Sequence, residues 1–441
     1  MKRVSYLLIP VLILCVSAFM VARKTAAPLS PEAVVHQTQN PPKPKQAKSQ
    51  VPLRPANQEA RALWVVRFTM TSPEAVRDSI KRAKENGFTD LVVQIRGRGD
   101  AFYNSRWEPR AEELAGQPKD FDPLALMIEE AHANGMRVHA WLNSFLVAMS
   151  VRLPELPEHI IYKHPEWLMV PRQLGRKLYG MDPKSPEYLA LVRDYTRANL
   201  AVLEGLYVSP AHPEVKEHLR RIWEDVTSKY DVDGMHCDYT RYPNFYFDYS
   251  RVSLDRFRAE MDATMSEKDR QTLARLVARN PLIYATTFAD RYAQFQRDQI
   301  TEVVESIFHT VKERKPEVVV SAAVSADYKE GYRSRFQDWK TWLQRGAMDV
   351  ICPMAYTPDT AVFKRQMAQA LTLANGQPVW GGIGSWRQPV NSTLEKIQVA
   401  RQLGAQGFIL FSYDSAVQFS ELNPQKDYLE RLKSGLIVNT N

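Results

Sequence analysis

From Arg61 onward the chain repeats one pattern eight times: an apolar run, then an amphipathic segment. The runs are ALWVVRF (62–68), DLVVQIR (90–96), RVHAWLN (137–143), VDGMHCD (232–238), VVVSAAVSA (318–326), DVICPMAY (349–356), PVWGGIGSW (378–386) and GFILFSYD (407–414). Runs of this length read as strands buried on both faces. The segments between them carry helix signals. SPEAVRDSIKRAKENG (72–87) opens on a Ser cap with Pro in the first turn and stops at Gly87. PLALMIEEAHANG (123–135) follows Asp122 and stops at Gly135, and 212–230 places Val215, Leu219, Ile222 and Val226 on one helix face.

Strands that alternate with helices pair in parallel through right-handed crossovers. Eight such units predict an α/β fold, a (β/α)8 TIM barrel over 58–435, with long insertions after strands 3 and 4 at 144–211 and 239–290. A doubly wound sheet would usually carry a Gly-rich phosphate turn after its first strand. VVRFTMTSPE has none. Both insertions leave from the C-terminal ends of strands, the face on which barrel enzymes build their sites.

The residues before the barrel differ in kind. A basic start, Lys2 and Arg3, precedes an apolar run from Val4 to Ala22, which reads as a signal peptide or signal anchor over 1–22. Cys15 follows Leu14, where a lipoprotein signal wants a small residue. Residues 23–57 hold seven prolines and few large apolar residues, the composition of a disordered tether. The expected location is outside the cytoplasm, periplasmic or envelope-associated, with membrane contact only through an uncleaved N-terminus. The net charge of +8 is misleading. Eight Lys/Arg in 1–57 oppose only Glu32, so the remainder is near neutral. A nucleic-acid partner, which needs a basic face on the folded domain, is therefore not indicated. No obligate protein partner is indicated. Cys237 and Cys352 lie on separate strands and are expected to be free thiols.

In a parallel barrel, alternate side chains face the interior. His236 and Asp238 then point inward at the C-terminal end of the fourth strand, and Met235 and Cys237 face the helices. Charge at such a position is costly unless used; the bland alternative is a turn cap or an Asp238–Arg241 ion pair. Other strands also end in polar or aromatic residues: Arg67 on the first, Gln94 and Arg96 on the second with Asp100 following, and His139, Trp141 and Asn143 on the third. Asp327 follows the fifth, Tyr356 ends the sixth, Trp386 the seventh and Asp414 the eighth. Carboxylates, a guanidinium, an amide and flat aromatics on one rim suit a sugar. No HExxH or GxSxG pattern is present, and His236 with Asp238 is too little for a metal alone, so neither a metal, another cofactor nor a serine nucleophile is expected.

The blocks LWVVRF, VVQIRGRGDAFYNS, PLALMIEEAHANGMRVHAWLN, YDVDGMHCDYTRYP, FQDWKTWLQRGAMDVICPMAYT and GFILFSYDS resemble, in order, the bacterial glycosylhydrolase-like family 10. DGMHCDYTRYP is the most specific of them. That family includes a divisome-associated hydrolase of peptide-free peptidoglycan. The resemblance implies a TIM-barrel glycosidase acting on a cell-wall or other amino-sugar polysaccharide. The family's motif aspartate falls on Asp238, with His236, Tyr239, Arg241 and Tyr242 around it; Arg96, Asp100 and Asn143 fall in neighbouring blocks. Cys237 stands where Leu, Phe or Val is more usual. Glycosidases generally need two carboxyls. Asp238 is the first, as nucleophile or base, and Asp327 or Asp414 precede Asp100 as candidates for the second. The rival reading is a non-catalytic glycan-binding barrel.

Overall fold

The computed structural model describes residues 58–436. The expected signal over 1–22 and tether over 23–57 lie outside them. Among these residues ten strands form, in chain order: β1 Ala60–Val65, β2 Asp90–Arg96, β3 Arg137–Asn143, β4 Leu146–Ala148, β5 Leu206–Tyr207, β6 Gly234–Asp238, β7 Val319–Val324, β8 Val350–Pro353, β9 Trp380–Gly384 and β10 Gly407–Phe411. Eight of them form one parallel sheet in the order β8-β7-β6-β3-β2-β1-β10-β9. Isolated parallel bridges, Ile351–Val379 and Met354–Gly382, bring β8 to β9 and nearly close the ring. This is the TIM barrel the repeat predicts. β4 and β5 form a separate antiparallel ribbon inside the first insertion.

Local chemistry sets the helices. Ser72 accepts a hydrogen bond from the Ala75 N–H to start Pro73–Glu85, and Asp122 does the same from Ala125 for Pro123–Ala133. Gly87 and Gly135 end those helices at φ +83° and +66°, conformations that need no strain in glycine.

The barrel interior holds Ala62, Trp64, Val92, Trp141, Ala323, Cys352, Trp380 and Ile409, and Tyr356 and Phe411 pack against that cluster near its top. The register explains the fourth-strand pattern. Trp141 lies opposite His236 and Asn143 opposite Asp238, while Cys237 joins the outer core toward the helices. Gly234 is required by its neighbour: a Cβ there would lie 1.9 Å from His139 Nδ1. Cys237 and Cys352 are both free and buried. The second insertion carries its own small core, in which Tyr249, Leu254 and Phe257 pack on Tyr292 and Phe295 of the long helix Ala289–Arg314.

Candidate functional site

Asp238 is the last residue of β6, with 9% of its side chain exposed. Its Oδ1 accepts from the Tyr239 N–H at 2.6 Å and from Arg241 Nη1 at 3.3 Å. Its Oδ2 takes no hydrogen bond among the described residues. Burial raises the Asp238 pKa, and Arg241 and the Tyr239 N–H only partly oppose that. The anchored oxygen fixes the carboxyl. Tyr239 holds this turn at φ +49°, a region that a bulky side chain seldom adopts. Such strain clusters at functional sites. The Arg241 guanidinium lies over the Tyr239 ring at 4.3 Å.

Below Asp238 a polar and aromatic layer is closed to solvent. Trp64 Nε1 donates to His236 Nε2 at 3.2 Å, and His236 Nδ1 contacts Ser321 Oγ at 2.8 Å. Burial, helped by His139, pushes the His236 pKa down to about 3, so the ring is neutral and accepts through Nε2. Trp141 Nε1 and Asn143 Oδ1 are joined at 2.9 Å, and Asn143 Nδ2 donates to the Gly97 carbonyl. His236, Trp141 and Asn143 are each at most 2% exposed, so they support the floor and do not face a ligand. Tyr356 and Trp386 are half-buried, pack edge to face at 5.0 Å, and enclose Phe411. They form the aromatic wall the sequence places there.

Other expected contacts go elsewhere. A register shift between Gln94 and Arg96 takes Arg96 off the interior face. Its Nε and Nη2 clasp Glu108, and its Nη1 donates to the Asn143 and Ser144 carbonyls. Both side chains are 0% exposed. Burial would raise the Glu108 pKa, but Arg96 and His218 outweigh it and hold it at about 2. Arg96 is therefore a buried tie, out of reach of substrate. Tyr242 is fully buried against Phe336 in the outer core and is likewise withdrawn. Asp100 accepts from the Arg98 N–H and shapes its own loop.

The two favoured partners for Asp238 are also engaged. Asp327 is exposed and caps the helix Tyr328–Ser334 through the Glu330 N–H. Asp414 accepts from the Val66 N–H and from the Thr69 hydroxyl, tying β10 to the turn after β1. Burial raises its pKa despite those bonds. Arg67 is in that turn, past the end of β1. Its Nη1 donates to Gln94 Oε1, its guanidinium lies over the Phe68 ring, and its Nε and Nη2 are buried without a hydrogen-bond partner.

One carboxyl at the site was not singled out by sequence. Glu204, immediately before Gly205 and β5, has its Oε1 3.8 Å from Arg241 Nη2, and its Oε2 accepts from the Tyr207 hydroxyl at 3.0 Å. Among the described residues, His164, Glu166 and Glu214 bring three metal-type ligand atoms within 4.8 Å of one another. His164 Nδ1 is hydrogen-bonded to Glu166 Oε1 at 3.0 Å, and Glu214 accepts from Trp167 Nε1 at 3.0 Å.

Comparison with known proteins agrees with this architecture. The chain is 26% identical over 333 residues to the glycosyl hydrolase YngK of Bacillus subtilis, covering 68% of this chain and 54% of that protein. It is 23% identical over 331 residues to the glycosyl hydrolase DigH of Escherichia coli K12, covering 68% and 61%. It thus spans little more than half the length of these relatives. Its fold matches the glycoside hydrolase domain of PgaB (BpsB) from Bordetella bronchiseptica with a TM-score of 0.54 at 14% identity, covering 84% of this chain and 99% of that one. The β-amylase catalytic domain of Paenibacillus polymyxa matches at 0.57 and 11%, covering 85% and 99%. The model of the family described as glycosyl hydrolase-like 10 matches residues 59–377, and the chain belongs to that family.

Proposed function

We propose that this protein is an exported glycoside hydrolase that cleaves an amino-sugar polysaccharide, the glycan strands of peptidoglycan foremost, with Asp238 as nucleophile or general base. The observation that carries this is Asp238 itself: a buried carboxyl at the C-terminal end of a barrel strand, one oxygen fixed and the other free, beside an aromatic wall. Tyr356 and Trp386 stack on sugar rings, whose C–H faces are apolar. Arg241 and the Tyr239 N–H orient the carboxyl for attack or for activating water. The neutral His236–Trp64 layer beneath keeps the floor rigid and dry. Export is supported by the basic start and apolar run over 1–22. The amino-sugar substrate is supported by the family and by the flat, hydrogen-bonding rim.

The test incubates purified protein with peptide-free glycan strands, intact peptidoglycan and chitin-type oligomers, and reads the products by mass. Wild type should shorten at least one of them. Asp238→Asn should be slower by about 10³- to 10⁴-fold and still bind, because the aromatic wall is unchanged. A folded Asp238→Asn protein with full activity would sink this reading. Wild-type protein that sediments with glycan and cuts none would point to a binding barrel.

A further inference from the structure

We propose that Glu204 is the second catalytic carboxyl, the one that gives its proton to the departing glycosidic oxygen. The inference rests on the hydrolase reading and assigns a residue within it.

Its position is fixed, although it comes from a loop in the first insertion. β4 begins three residues after Asn143, which lies opposite Asp238. β5 pairs with β4 through Leu146–Tyr207 and Ala148–Leu206. The residue between Glu204 and β5 must be glycine, because a Cβ on Gly205 would sit 2.1 Å from the Ala148 carbonyl oxygen. The ribbon therefore carries Glu204 back to the end of β6.

The charges then interlock. One Arg241 guanidinium faces Asp238 Oδ1 through Nη1 at 3.3 Å and Glu204 Oε1 through Nη2 at 3.8 Å. Two contacts and the span of one guanidinium hold these two oxygens no more than about 10 Å apart, a limit that admits the separations glycosidases use. Each carboxyl has one oxygen held and one without a hydrogen bond among the described residues: Asp238 Oδ1 is anchored, and Glu204 Oε2 is anchored by Tyr207. The Glu204 side chain is 30% exposed, against 9% for Asp238. A group that gives and regains a proton in each turnover needs that access to water. By contrast, both oxygens of Asp414 are taken, and Asp327 is an exposed cap.

In the step assigned to it, the C1–O bond breaks and its electron pair goes to the leaving oxygen, which takes the Glu204 proton. Asp238, or a water it deprotonates, forms the new bond to C1. Water supplies the hydroxyl of the product and the proton that resets the pair.

The test compares wild type, Glu204→Gln and Glu204→Asp on natural glycan and on a dinitrophenyl glycoside of the sugar that wild type cleaves. The dinitrophenolate leaves without a proton. Glu204→Gln should lose about 10²- to 10⁴-fold on natural glycan, far less on the dinitrophenyl glycoside, and should lose the basic limb of the pH profile. Glu204→Asp keeps the charge facing Arg241 but draws the proton back by one methylene, so it should keep its melting temperature and stay slow. If Glu204 only balances Arg241, both substrates suffer equally, the pH limb remains, and Glu204→Asp recovers activity. Either that pattern or an unaffected Glu204→Gln overturns the assignment alone. A wild type inactive on every glycan overturns the hydrolase reading as well.

Discussion

Arg96 ends one barrel strand and Arg241 follows another, and both meet carboxylates, in opposite ways. Arg96 is sealed: its three nitrogens are spent on Glu108 and two carbonyls, and neither side chain of the pair is exposed. Arg241 stands between two carboxyls at longer distances, each with an oxygen that takes no hydrogen bond among the described residues, in partial contact with solvent. The sealed pair closes the RGRGDAFY loop onto the barrel. The open group has the spare hydrogen-bonding capacity that a reaction needs. Similarity of motif treats these arginines alike; only the accounting of their partners separates them.

The contrast predicts a large stability effect on the sealed side. Glu108→Gln leaves Arg96 charged and uncompensated in the core, and should cost about 3–5 kcal/mol. The folded fraction should keep its turnover, read by denaturant unfolding alongside activity. Full stability with lost activity would move Glu108 into the site and erase the distinction. Next in size is Gly205→Ala. Its methyl drives the β4–β5 ribbon apart at Ala148, for about 1–3 kcal/mol. Here stability and activity should fall together, because Glu204 moves with the ribbon. Activity that survives the shift would detach the ribbon from the chemistry.

The smallest effect sharpens the open side. Burial, with Arg241 and the Tyr239 N–H opposing it, leaves Asp238 with a pKa above its unfolded value. The folded state then binds the proton more tightly, so this group's contribution is present at low pH and lost as pH rises through the folded pKa. Asp238→Asn should therefore melt higher than wild type at neutral pH. The difference should shrink toward nothing below about pH 4, the range of an unfolded aspartate. A difference that grows on acidification would reverse the assigned environment.

How much of this is legible in sequence follows from the range of the interactions. The eight strands and the Ser72 and Asp122 caps are local patterns, and they stand where the periodicity puts them. Asp238 is legible because strand alternation alone turns it inward. Arg96 is misread because one register shift after Gln94 undoes that alternation. Tyr242 is misread because the turn at Tyr239 reverses direction and sends the next aromatic into the outer core. Arg67 falls past the strand end, since β1 stops at Val65. Glu204 is invisible in sequence because two short strands, some sixty residues apart, carry it to Asp238. The one local hint is the glycine that follows it.

The central claim is that water enters at C1 beside Asp238. Cleavage of peptide-free glycan strands in ¹⁸O-water, followed by prompt reduction and mass analysis, tests it most directly. Each new reducing end should carry one heavy oxygen, and Asp238→Asn should yield almost none. Strands that end in anhydro sugars without added oxygen, or strands that stay uncut while bound to the protein, would contradict it.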